Sequence, residues 1–235
     1  MGLPITEYPL SEIYVHSLKE KVQFRPFLVK EEKLLVLAAE SGEAEDMVKA
    51  SQQIVTNCSF GKVEGDKIPI FDMQKIFIEL RKMSVGDTVE AVFACGVEEC
   101  QEKATVVIDL NDFELKEDES HSPTIQLTEG LSIEMRYPKT EELKEIAGTN
   151  THAEIYSTAA KCIDKIYMED AVYTAEETSF EERLEFIENL TSDAFENVRN
   201  FFETMPVMEH TIEFQCKKCG KVNYAFMNGY LDFFV

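Results

Sequence analysis

The chain has 235 residues, with 45 acidic against 23 basic side chains and a formal net charge of −22. Nonspecific nucleic-acid affinity comes mainly from Lys and Arg releasing counterions, so free DNA or RNA is a poor candidate ligand, and anionic lipid is repelled in the same way. Hydrophobic residues at 44%, with only 10 Gly and 7 Pro, suit an ordinary core in one large domain or two small ones, and no run reaches the ~20 apolar residues of a membrane span.

Met1 to Leu10 has neither a basic region nor an apolar h-region, so a soluble protein made in a cytoplasm is expected, and the loose myristoylation pattern at Met1-Gly2 is read as chance. From Arg25-Pro26-Phe27 the chain enters Lys30 to Ala38, a run of good helix formers that stops near Gly42, and a second helix is expected over Glu43 to Asn57. A third follows, because Met73, Ile76, Phe77 and Leu80 fall at i, i+3, i+4 and i+7, with Asp72 placed to cap or charge its first turn. Gly86-Asp87 ends this helical region, 1–86.

The period then changes from 3.6 to 2. Thr88 to Cys95 and Lys103 to Leu110 read as a β-hairpin, and the acidic stretch from Glu114 to Ser120 as a solvated connection. A second hairpin sets Ile125 and Leu127 against Ile133 and Met135 across Glu129-Gly130, and Tyr137-Pro138 closes the region 87–138. Helices are expected again over 139–206. Ile155, Ala159, Cys162, Ile163 and Ile166 make one stripe, Ser179 with Glu182 is a capping box, and Ala194, Phe195, Val198, Phe201, Phe202 and Met205 make another stripe before Pro206. The last region, 207–235, returns to strands at Thr211 to Cys216 and Val222 to Met227 and is expected to pack on 87–138. No internal repeat appears at solenoid spacing.

Four of the six cysteines form two close pairs, Cys95 with Cys100 and Cys216 with Cys219, each at the tip of an expected hairpin. Two such knuckles can point four thiolates at one tetrahedral ion, as in a zinc ribbon, with Gly96 and Gly220 permitting sharp turns at positive φ. Four reduced thiols, or a disulfide in each pair, are the alternatives, and the disulfide loses weight because nothing suggests secretion. An all-thiolate shell leaves no open position for water, so a bound zinc would hold structure and not catalyse. Cys58 and Cys162 fall outside this scheme. His16, His121, His152 and His210 are scattered, and His121 is expected to be solvated. The carboxylate pairs Glu31-Glu32, Glu141-Glu142 and Glu181-Glu182 sit in expected first helical turns, and the zincin, hydrolase and nucleotide-binding motifs are absent.

Several strings taken in order resemble the baseplate hub proteins of T-even-like contractile-tailed bacteriophages: Arg25-Pro26-Phe27 before Lys30-Glu31-Glu32-Lys33, Phe71-Asp72, Phe77-Ile78-Glu79-Leu80-Arg81, Ser84-Val85-Gly86, the two cysteine pairs, Arg136-Tyr137-Pro138, Phe201-Phe202, Met205-Pro206 and Leu231-Asp232-Phe233-Phe234. The resemblance spans nearly the whole chain, although the first cysteine pair departs from the two-residue spacing of a ribbon knuckle. It implies a hub subunit or a hub assembly factor, in the virion baseplate or in the host cytoplasm during tail assembly, that contacts other tail and hub proteins. Arg25 and Arg81 are read as surface or helix-terminal charges, with a bridge from helix to sheet as the other possibility. Phe226, Tyr230, Phe233 and Phe234 either fold back on the ribbon or face a partner.

The expectation is therefore an α+β fold, helical segments flanking an antiparallel β region with a zinc-ribbon-like pair of hairpins. It is a structural role without catalysis, nucleic acid or membrane, with zinc on Cys95, Cys100, Cys216 and Cys219. The competing class is a zinc-ribbon enzyme or nucleic-acid-processing factor, which a basic face or a cleft of convergent titratable groups would favour.

Overall fold

A computed structural model describes residues 8–142 and 152–227, and it opens with a hairpin that a helical reading of the first third passes over. Strands β1 (Ser11–Val15) and β2 (Glu20–Phe24) alternate exposed and buried side chains, turning Ile13, Val15, Val22 and Phe24 inward. Helices α1 (Val29–Ser41), α2 (Ala44–Cys58) and α3 (Ile70–Ser84) follow close to their expected bounds. Gly42 ends α1 in the left-handed conformation at φ 72°. The expected stripe of α3 is core, and Met73, Ile76, Phe77 and Leu80 pack with the hairpin and with Ile54, Val55 and Cys58. Asp72 does not cap α3, although it places an acid in its first turn as expected. It is fully buried and accepts the N–H groups of His16 and Ser17, both at 2.8 Å, which fastens the β1–β2 turn to the helix. Gly65 lies so close to α2 that a Cβ would sit 2.3 Å from the carbonyl oxygen of Gln52.

Beyond α3, β3 (Thr88–Ala94) and β4 (Lys103–Asp109) pair antiparallel, Thr88 opposite Asp109 and Ala94 opposite Lys103. The acidic stretch is only partly a solvated connection, because its first residues form a strand, β5 (Glu114–Lys116).

The contacts divide the chain into two units. One holds residues up to Lys116 together with those from Val207 onward, and the other is Glu117–Pro206. In the second unit β6 (Thr124–Thr128), β7 (Leu131–Met135), β8 (Ile163–Met168) and β9 (Ala171–Thr174) form one antiparallel sheet in that order. Helix α4 (His152–Cys162) stops sooner than its stripe implies, since Ile163 and Ile166 belong to β8. Helices α5 (Phe180–Glu188) and α6 (Ser192–Glu203) complete the unit. Ser179 and Glu182 close the expected capping box on α5. Their core gathers Ile133, Ile163, Ile187, Val198 and Phe201.

The chain then returns to the first unit. Strand β10 (Val207–Gln215) pairs with β5 at one end, Val207 opposite Lys116, and with β11 (Val222–Met227) over the rest. Ile78, Ile108, Leu110, Phe113, Met208 and Ile212 make the core beneath these strands. Phe226 is 72% exposed, whereas Tyr230, Phe233 and Phe234 lie outside the described residues. The fold is α+β, and among the described residues no helix is long and apolar enough to cross a membrane.

Candidate metal centre

Both cysteine pairs sit where their hairpins turn. The Cys95 N–H donates to the Glu102 carbonyl at 2.8 Å and the Cys216 N–H to the Lys221 carbonyl at 2.9 Å, so each pair is enclosed by one closing hydrogen bond. Each turn then needs a left-handed residue directly after its second cysteine. Gly220 supplies it in the second loop at φ 73°, and Gln101 in the first at φ 43°. Gly96, expected to serve this way, instead brings its N–H within 2.9 Å of Asn223 Oδ1 and so ties the first loop to β11.

The four sulfurs converge, all within 4.8 Å of one another. Two contacts run across the hairpins, Cys95 to Cys219 and Cys100 to Cys216, each 3.7 Å. A tetrahedral ion with zinc–sulfur bonds of about 2.3 Å spaces its ligands by ~3.8 Å, whereas a disulfide draws two sulfurs to about 2.05 Å. The backbone N–H groups of Cys219 and Lys218 point at the Cys216 sulfur and bring its thiol down to about 7, which favours the thiolate that a cation needs. The donor set and the spacing fit a soft, four-coordinate cation of the zinc class. Among the described residues no other group of three or more His, Cys, Asp or Glu side chains offers a metal site.

Two arginine–glutamate pairs lie apart from the cysteines. Arg25 is buried, not solvated, and its guanidinium makes a two-pronged bond to the equally buried Glu31 at 2.9 and 3.2 Å. Arg136 grips Glu142 in the same way at 2.6 and 2.9 Å. Burial alone would raise both carboxyls, but the bonds from the arginines and from backbone N–H groups outweigh it and hold them below the usual range. Cys58 and Cys162 lie beside these arginines, and burial pushes both thiols up to about 12, so neither competes as a ligand. Arg81 turns its guanidinium onto the carbonyls of Gly86 and Thr88, just past the end of α3. His121 is not solvated either, since its ring stacks on Tyr137 and lies tilted against Phe201, with Nδ1 2.9 Å from the Thr204 hydroxyl.

Reading residues singly misses these Arg–Glu clasps. One signal was available, an arginine directly after a short strand that ends on a buried apolar residue, with a glutamate six residues on, found twice.

Four thiols gathered at two hairpin tips, with no other such group offering a metal site among the described residues, make a centre suited to holding structure. The chain belongs to the family of T4 bacteriophage base plate proteins, which it matches over residues 7–235. It is thus a structural protein of a phage baseplate. No curated protein and no solved structure matches it.

Proposed function

We propose that this protein is a structural or assembly component of the baseplate hub, acting through contacts with other tail and hub proteins, and that zinc on Cys95, Cys100, Cys216 and Cys219 ties its two knuckle-bearing hairpins together. The observation that carries the hub reading is the family match across nearly the whole chain, taken with the collinear strings noted above. The convergence of the four sulfurs supports the zinc, whose part is to hold the ribbon-like pair of hairpins and not to bind substrate. The site of action is the virion baseplate, or the host cytoplasm while tails assemble. A charge of −22 favours a basic partner surface, with association that slows as salt rises, and speaks against the nucleic-acid-processing alternative.

Infection with a phage lacking the gene tests this reading. Heads and fibres should form while baseplates stall before completion, and normal baseplates would refute the assignment. Proteomics of purified virions against infected-cell lysate then separates a resident subunit from a transient assembly factor.

A further inference from the structure

The two Arg–Glu clasps share six hydrogen bonds, and beyond these Arg136 Nη2 donates to the Lys161 carbonyl at 2.8 Å while Arg25 Nη1 lies 3.6 Å from the Cys58 sulfur. Each arginine is the first residue after the second strand of a hairpin, Arg25 after β2 and Arg136 after β7. Each backbone N–H donates to the carbonyl of a buried cysteine that ends a helix, Arg25 to Cys58 at 3.0 Å and Arg136 to Cys162 at 2.8 Å. Each Nη1 donates to the next residue's carbonyl, Pro26 at 3.0 Å and Tyr137 at 3.1 Å, and each guanidinium forks onto a glutamate six residues on. Each carboxylate also accepts the N–H group three residues before it, Leu28 at 2.9 Å and Lys139 at 2.7 Å. The glutamate N–H returns to the carbonyl of that same residue, at 2.9 and 3.0 Å.

The cysteine hairpins match as well. Phe93 and Phe214 each stand two residues before the first cysteine of a pair. Gln101 and Gly220 each turn left-handed after the second, and their N–H groups donate four residues back, to Val97 at 3.1 Å and to Cys216 at 2.9 Å. The first loop is two residues longer between its cysteines, and its closing bond, Cys95 to Glu102, also spans two residues more than Cys216 to Lys221. One insertion accounts for both differences. The sulfur contacts obey the same exchange: trading Cys95 for Cys216 and Cys100 for Cys219 turns one 3.7 Å contact into the other.

We infer that the chain is a tandem duplication of one building block, a strand hairpin, an Arg–Glu–Cys clasp, a helical region and a cysteine-bearing hairpin, and that the metal centre takes one equivalent half-site from each copy. The first copy runs from β1 to β4 and the second from β6 to β11. They diverge between clasp and knuckle, where the first has α3 and the second has β8, β9, α5 and α6. Six shared hydrogen bonds are not required of two unrelated segments that merely share an ion pair, because an arginine and a glutamate can meet in many backbone settings. The half-site part rests on the zinc reading, whereas the clasps stand without it.

Loop exchange in the full-length chain tests the equivalence. In one variant residues 95–102 are replaced by the sequence of 216–221, and in the reciprocal variant 216–221 are replaced by that of 95–102. Cobalt(II) is the probe, its thiolate charge-transfer absorption the readout, and circular dichroism reports folding. Equivalent half-sites predict one cobalt per chain in the wild type and in both variants, with affinities within about tenfold of one another. A wild type that binds while either variant does not, folded or unfolded, overturns the equivalence of the half-sites. A wild type that takes up no cobalt overturns the metal reading itself and the half-sites with it.

Discussion

Phe93 stacks on Phe214, ring centroids 5.6 Å apart and planes 28° from parallel, directly behind the two cysteine loops. Offset aromatic stacking adds to simple burial, so this pair joins the strands that carry the two knuckles without any ion. A metal on the four thiols would act on the same joint as the stacked rings.

Purified without chelator, the protein should carry one zinc per chain. Cys216→Ser should abolish uptake and lower the thermal midpoint, because structural zinc sites in small peptides contribute on the order of 10 kcal/mol or more of apparent binding energy. Phe214→Ala should retain the metal at reduced affinity and lose about 3 kcal/mol of stability in urea titration, through the cavity left beside Phe93. Metal analysis that finds no zinc, with all four thiols freely reactive in folded protein, would remove the centre.

Breaking a clasp on one side should be worse than deleting it. Glu31→Gln leaves the buried Arg25 cation without its counter-ion and should cost about 3–5 kcal/mol, whereas Arg25→Met with Glu31→Leu should recover much of that loss. Equal losses in the single and double variants, measured by chemical denaturation, would show that the ion pair is not what the site needs.

Acid should weaken both units. Glu31 and Glu142 are held below the ordinary glutamate value of 4.5 in the folded chain, so the unfolded chain takes up protons first as pH falls. Their contribution is complete above that value and is lost as pH drops through the lower folded values. Thermal midpoints followed from pH 6 to pH 3 should fall, and the fall should be shallower in Glu31→Gln. An unchanged slope would detach the clasp from acid stability.

Asp72 offers a sharper test, because its two oxygens each accept one N–H from the β1–β2 turn. Asp72→Asn replaces one acceptor with an NH2 donor facing another donor, so it should cost about 1–3 kcal/mol, no less than Asp72→Ala. An asparagine variant as stable as wild type would mean that one of these bonds contributes nothing.

Hairpins whose turns contain glycine were legible in the sequence, and those without it were not. The β6–β7 turn has Gly130 at φ 80°, and the β10–β11 turn has Gly220. The β1–β2 and β8–β9 turns instead put Lys19 at φ 55° and Glu169 at φ 54°, residue types that carry no turn signal. Ile163 and Ile166 hid the start of β8 further, since two apolar residues three apart suit a helix as well as the buried face of a short strand. The gathering of the four cysteines could be read from their spacing, because close thiol pairs at hairpin tips have few other uses. Arg25 and Arg136 were harder to read, because an arginine held by an ion pair is told from a solvated one only by its partner, and the glutamate six residues on stands out only when the two strings are compared.

Val207 pairs in register with Lys116, so the chain leaves the first unit and re-enters it at adjacent points. During synthesis the ribosome therefore finishes the whole intervening unit before the first can close its sheet. Both cysteines of the second knuckle emerge later still. A truncated chain ending anywhere before Cys216 carries, of the four clustered thiols, at most the two of the first knuckle, so the tetrathiolate ion proposed above would act as a seal set only once the second knuckle has been made, and shorter chains would be left open to proteolysis.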